Sequence, residues 1–194
     1  MPIDKSIDYS AITPEIKALT KLCLADNVIE PEMYVKYAVN RGLRDLNGNG
    51  VLTGLTEISE IQSSKMVDGE KVPCEGKLFY RGVDVEQIVS GFIREKRYGF
   101  EETVYLLLFG ALPDEAQLDD FKKLLAGYRS LPTNFVRDVI LKAPNADMMN
   151  TLARSVLTLY SYDARATDNS TENVLRQCLQ LIALFPMLSV YGYQ

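Results

Sequence analysis

Gly76-Lys77-Leu78-Phe79-Tyr80-Arg81-Gly82-Val83-Asp84-Val85-Glu86-Gln87-Ile88, then Phe100-Glu101-Glu102-Thr103-Val104-Tyr105-Leu106-Leu107-Leu108-Phe109-Gly110 and Leu112-Pro113, is the stretch that decides the fold. Asp84 is placed to cap a helix whose apolar residues Val85, Ile88, Val89, Phe92 and Ile93 recur at the period of one buried helical face. Residues 101 to 109 are apolar on most sides, which predicts a short helix enclosed by other helices and ended by Gly110. Arg94, Lys96 and Arg97 follow the first of these helices, where cations favour a C-terminus and face water.

Upstream, Val51-Leu52, Leu55, Ile58 and Ile61 are interspersed with Thr and Gly before Lys77-Leu78-Phe79-Tyr80 resumes the apolar pattern. This predicts short strands, a hairpin-like pair joined by a long loop through Ser63, Ser64 and Asp68. Earlier still, Thr13-Pro14-Glu15 opens a helix carrying Ile16, Leu19, Leu22 and Cys23. Glu30-Pro31 opens another, with Met33, Tyr34, Tyr37 and Ala38 inward and an end near Arg41-Gly42.

Downstream the pattern is helical throughout. Leu118, Phe121, Leu124, Leu125 and Tyr128 form one stripe while Asp119, Asp120, Lys122 and Lys123 face water, until Leu131-Pro132 stops the helix. Thr133 is placed to cap a helix burying Phe135, Val136, Val139 and Ile140, and bounded by Pro144. Asp147 begins the next, with Met148, Met149, Leu152, Val156 and Leu159. The loop from Asp163 to Ser170 leads to a last helix from near Thr171, whose run Cys178 to Tyr193 is largely apolar. A membrane span needs roughly 20 uninterrupted apolar residues, and Gln180 and Pro186 interrupt this run, so a buried core helix bent at Pro186 is expected. A helix apolar on several faces needs partners on several faces, so its final turns imply an interface.

With 194 residues, 47% hydrophobic and 24% charged, the chain is long enough for a real core. A net charge of −5 gives no electrostatic footprint for nucleic acid or an anionic membrane. Cys23, Cys74 and Cys178 are widely spaced, without a Cys-x-x-Cys pair or any histidine to complete a zinc site, and read as reduced thiols. Asp4 and Asp8 near the start, without an apolar run, do not resemble a secretory or transit leader, so a cytoplasmic location is expected.

Candidate chemistry is sparse. Asp45-Leu46-Asn47-Gly48-Asn49-Gly50 matches the opening of a calcium loop, but Thr56 stands at the twelfth position where a bidentate Glu is needed. An Asn-Gly turn explains it better. Gly48-Asn49-Gly50-Val51-Leu52-Thr53-Gly54 lacks the strand before and helix after that a phosphate cradle requires. Glu101-Glu102 and Asp119-Asp120 are adjacent on helices and point apart, which suits a helix start or a wet face rather than paired acid and base. No Gly-x-Ser-x-Gly elbow is present, and no Ser or Cys has a histidine to activate it.

The ordered strings do resemble the citrate synthase family. Gly54-Leu55-Thr56-Glu57-Ile58-Ser59 is similar to its early strand, Lys77 to Val85 to the next strand and turn, and Phe100 to Pro113 to the following buried helix. Phe121-Lys122-Lys123-Leu124-Leu125, Tyr128-Arg129, Leu131-Pro132, Ala153 to Asp163 and Leu175 to Pro186 fit in the same order. Ala146-Asp147-Met148-Met149 departs from the Ala-His-Pro-Met of many relatives, and Asp there serves as a helix cap.

The resemblance implies a mainly α, multi-helical fold, the N-terminal portion of the large domain of a dimeric enzyme. Residues 1–50 would be N-terminal helices, 51–81 a small hairpin or sheet, and 84–194 the helical core. Relatives condense acetyl-CoA, or propionyl-CoA in a 2-methylcitrate synthase, with oxaloacetate. They use an aspartate base, histidines at the carbonyls and arginines on the carboxylates. Those residues belong to the later half of the family's sequence, so no catalytic, cofactor-binding or metal residue is assigned here. The chain alone is expected to be inactive and to bind no cofactor, and its C-terminal helices are expected to form a homodimer. The competing expectation is a non-catalytic helical interaction protein on the same scaffold.

Overall fold

Asp84, extended at φ −63° and ψ 126°, accepts a hydrogen bond from the Glu86 amide at 2.9 Å and so opens the helix that its sequence position predicts. The computed structural model describes residues 8–40, 51 and 53–193. Its helices are α1 (Pro14–Ala25), α2 (Pro31–Lys36), α3 (Val85–Glu95), α4 (Phe100–Phe109), α5 (Glu115–Tyr128), α6 (Met148–Tyr160) and α7 (Thr171–Tyr193), with a short π-helical segment at Val136–Leu141. Strands β1 (Ser59–Val67), β2 (Glu70–Tyr80) and β3 (Val83–Asp84) form one antiparallel sheet in the order β1-β2-β3. The mainly α fold with a small sheet is thus the one expected. The chain divides into two compact units, Met1–Lys21 with Asp119–Gln194, and Leu22–Leu118.

In the unit spanning residues 22–118, the hairpin differs from the expectation of short strands and a long loop. Ser63 and Ser64 lie inside β1, and the connection is the two-residue turn Asp68-Gly69, with φ 51° and 84°. Positive φ at both central residues matches the right-handed twist of paired strands, which is why Asp-Gly serves here. Pairing runs from Ser59↔Tyr80 to Gln62↔Lys77, shifts, and continues from Ser64↔Pro73 to Val67↔Glu70. Most residues of both strands are exposed, so no apolar alternation marked them in the sequence.

The core of this unit gathers around α4. Tyr105, Leu106 and Phe109 are buried, Tyr105 and Phe109 meeting edge to face at 4.7 Å between ring centroids. Burying each such side chain is worth roughly 1.5–3 kcal/mol. Gly110 ends α4 in the left-handed region at φ 82°, as predicted. The carbonyls of the last turn of α4 are met by side chains: Arg81 donates to Leu107 O from Nε at 3.2 Å and Nη2 at 3.0 Å, and Asn27 Nδ2 donates to Leu108 O at 3.2 Å. Arg97 follows the left-handed cap Lys96, pairs with Glu102 and Glu95, and stacks over the Phe92 ring at 4.9 Å.

Helix α2 is shorter and wetter than its spacing suggested. It ends at Lys36, Tyr34, Tyr37 and Ala38 are exposed, and only Met33 is half-buried. Its expected end at Arg41-Gly42 lies outside the described residues.

In the other unit, α7 is the spine. Leu175, Leu179, Ala183, Leu184 and Leu188 are buried along it, and Leu188 packs with Phe135 and Ile140 of the π-helical region. Helix α7 runs through Pro186, and it is one described helix long and apolar enough to cross a membrane, with mean hydropathy 1.4 over its most apolar stretch. The expected Thr133 cap does not form: Asn134 turns left-handed at φ 64°, and Val136–Leu141 starts from Phe135 with no side-chain cap. Asp147, by contrast, caps α6, accepting from the Met149 and Asn150 amides at 2.9 and 3.2 Å.

Candidate functional site

The buried polar residues Asn173 and Arg176 sit three apart on α7, one turn from Gln180, on a helix otherwise dominated by apolar packing. Arg176 is 0% exposed. Its Nη2 donates to Asp163 Oδ2 at 2.7 Å and to Asn173 Oδ1 at 2.6 Å, and Nε to the same Asn173 oxygen at 3.0 Å. Its Nη1 donates to Gln180 Oε1 at 2.8 Å and to the Tyr9 carbonyl. All five N–H donors of a guanidinium are thereby used.

Asp163 is equally committed. It accepts from Gln177 Nε2 at 3.0 Å and from the Arg165 amide at 2.9 Å as well as from Arg176. Burial pushes the Asp163 pKa up, but the hydrogen bonds from Arg176, Gln177, Arg165 and Ser10 outweigh it and hold the carboxyl below its ordinary value. Gln180 Nε2 donates to Tyr9 O at 2.6 Å, and the Ala164 amide to Ser10 Oγ at 2.8 Å, so the segment around Tyr9 is fastened to both α7 and the Asp163 loop. A saturated arginine has no fork to offer a substrate carboxylate, so this cluster is a clamp.

Beside the clamp lies a cavity of about 560 Å³. Leu124 and Tyr128 of α5, Val156 and Leu159 of α6, Leu181 of α7 and the segment carrying Tyr9 and Thr13 line it, with Asp163, Gln177 and Gln180 among its polar residues. The Tyr128 hydroxyl is buried without a hydrogen-bond partner, and burial pushes the phenol pKa up. The cavity is far larger than the water-sized voids of a well-packed interior.

Asp119 and Asp120 are not among the residues that line the cavity. The loop Asp45 to Gly50 lies outside the described residues. Glu101 and Glu102 fall in the first turn of α4, Glu102 pairing with Arg97, and exposed Asp120 pairs with Lys123 at 3.1 Å. Among the described residues no group of three or more Asp, Glu, Cys or His could hold a metal ion. Sequence reading missed the Arg176 clamp, whose only trace is the recurrence of Asn173, Arg176 and Gln180 on one face of an apolar helix.

The fold is an all-α type with a small accessory sheet, of the kind solved for citrate synthases. A citrate synthase from Pyrobaculum aerophilum superimposes with a TM-score of 0.58 at 27% identity, over 78% of this chain and 37% of that one. The family profile described as "Citrate synthase, C-terminal domain" matches residues 45–194. Among curated proteins, the citrate synthase of Saccharolobus solfataricus is 33% identical over 138 residues, 71% of this chain and 33% of its own length. The 2-methylcitrate synthase 1 of Corynebacterium glutamicum is 30% identical over 141 residues, 72% of this chain and 32% of its own. The chain belongs to the citrate synthase family. It spans about a third of the length of these curated relatives.

Proposed function

We propose that this chain is the scaffold-bearing N-terminal portion of a citrate synthase-type acyltransferase, which joins an acyl-CoA to oxaloacetate, and that by itself it does not turn over. The observation that carries this reading is the pairing of a family match over residues 45–194 with a sequence that contains no histidine. Condensation requires removal of a proton from an acyl methyl or methylene and polarisation of two carbonyls. Arg176, a cation close to the cavity, is fully engaged by Asp163, Asn173, Gln180 and Tyr9. What this portion contributes is rigidity: the clamp and the α6–α7 packing stiffen one unit, and the α4 core stiffens the other.

Acetyl-CoA is the first acyl donor to test, and propionyl-CoA the second, because relatives named 2-methylcitrate synthase match at nearly the same identity as those named citrate synthase. The expected setting is a cytoplasmic homodimer paired through C-terminal helices, as the apolar final turns of α7 favour. Purified chain is mixed with oxaloacetate and either thioester, and free CoA is read with a thiol reagent. Release at the background rate supports the reading, and turnover typical of enzymes removes it. Sedimentation at micromolar concentration tests the dimer, which a monodisperse monomer would rule out.

A further inference from the structure

We propose that residues 8–13 are a strap that opens and closes over the cavity, latched shut by Arg176 and Gln180. The strap has no regular structure beyond one turn and ends at Pro14, where α1 begins. It precedes residues 45–194, the part that the family profile matches, so the inference stands apart from the family reading. Asp8, Tyr9 and Thr13 are among the residues that line the cavity, so the strap borders a void instead of lying on packed side chains. Of residues 8–13 only Ser10 is buried, and the first apolar anchor after them is Ile16, at 0% exposure. A segment that buries so little apolar surface opens locally, well before helices packed in a core do.

The latch is polar. The Tyr9 carbonyl accepts from Arg176 Nη1 and from Gln180 Nε2, the second at 2.6 Å, and Ser10 Oγ accepts from the Ala164 amide at 2.8 Å. Asp8 Oδ1 accepts from the Ser10 amide at 2.9 Å and shapes the turn that presents both acceptors. When the strap lifts, Arg176 keeps its bonds to Asp163 and Asn173. The donors it frees on Arg176 and Gln180 are left beside the cavity, where water takes the place of the Tyr9 carbonyl. The buried ion pair therefore stays closed while the strap moves. The other end of the strap has a fixed root: Thr13 Oγ1 and the Thr13 carbonyl accept from the Ile16 and Lys17 amides at 3.4 and 3.1 Å, and Ile16 and Thr20 are buried beyond them. A polar latch at one end and an apolar anchor at the other make the segment a hinged gate.

The test follows amide exchange of the full chain by NMR together with uptake of a neutral apolar dye, N-phenyl-1-naphthylamine. The Ala164 amide, whose acceptor sits on the strap, should be protected roughly a hundredfold less than the Leu179 and Leu188 amides, and low urea should not change its exchange, the mark of a local opening. Asp8→Ala, at an exposed position, removes the turn and should lower Ala164 protection about threefold or more while leaving Leu188 as it was. A dye that enters only when the strap is open binds with an affinity scaled by the open fraction, so its apparent affinity should rise by the same factor. Ser10→Ala, at a position that does not line the cavity, should raise dye affinity without altering the walls, and Ile61→Glu on the hairpin should change neither readout. Ala164 exchanging in step with Leu188, or exchange unaltered by Asp8→Ala, would overturn the strap. Dye affinity that stays constant in Asp8→Ala and Ser10→Ala, or no dye uptake in any form, would overturn its role as a gate.

Discussion

Arg176 Nη2 lies 2.7 Å from Asp163 Oδ2, an ion pair in which the guanidinium is fully buried and the carboxylate nearly so. The pair joins α7 to the loop after α6, and through Tyr9 and Ser10 it also fastens the segment before α1. In an apolar interior such a pair is costly to form and costlier to break, because the surviving charge has no water to turn to.

Asp163→Asn removes the negative partner while keeping the shape, leaving a buried cation facing a neutral amide. The expected loss is about 3 kcal/mol, the lower end for a broken buried pair because Asp163 keeps slight solvent contact. Urea unfolding followed by circular dichroism measures it. A change below about 0.5 kcal/mol, the scatter of ordinary surface substitutions, would mean that the clamp contributes little.

Acid should loosen the same loop. Hydrogen bonds from the Ser170 amide, from Arg165 and from the Ser170 hydroxyl pull the Asp168 pKa down to about 2, and Asp163 is lowered as well. A carboxylate lowered by folding binds its proton more weakly in the native state than in the unfolded chain. Its contribution is therefore fully present above the ordinary carboxylate range, near pH 4, and is lost as pH falls through the folded value. Carboxyl NMR titration of Asp168 should give a midpoint near 2, and Asp168→Asn should flatten the stability profile between about pH 4 and 2. An unshifted midpoint near 4 would contradict the arrangement.

Gly110 and Gly69 form an internal comparison. Both are left-handed, at φ 82° and 84°, but a Cβ on Gly110 would meet Asp26 Cβ at 2.9 Å whereas one on Gly69 meets nothing within 4 Å. Gly69→Ala should therefore carry the conformational cost alone, about 1 kcal/mol. Gly110→Ala adds the overlap and should cost about 2 kcal/mol or more. Thermal unfolding of the two variants decides the matter, and equal losses would argue against close packing of α4 on the end of α1.

The sequence spoke most clearly where local chemistry and burial agree. Asp84 caps α3, Asp147 caps α6 and Gly110 ends α4, each where its residue type and the neighbouring apolar period place it. The β1–β2 hairpin was misjudged because both of its faces are wet: Ser63 and Ser64 lack the apolar alternation that identifies a strand, and only Asp68-Gly69 betrays the turn. Tyr34 and Tyr37 show the opposite error, since helical spacing of aromatics says nothing of whether a partner covers them. The Arg176–Asp163 pair and the neighbouring cavity join residues from separate elements, so neither follows from periodicity along one helix. Family resemblance reached further than residue chemistry because it rests on the order of many individually weak strings.

The most direct test of the central claim, that this chain carries a citrate synthase scaffold without its chemistry, is CoA release by the purified chain from acetyl-CoA or propionyl-CoA with oxaloacetate. The account predicts release at the uncatalysed rate for both thioesters, with the fold intact by circular dichroism. Enzyme-like turnover by this chain alone, with no histidine in its sequence, would contradict it.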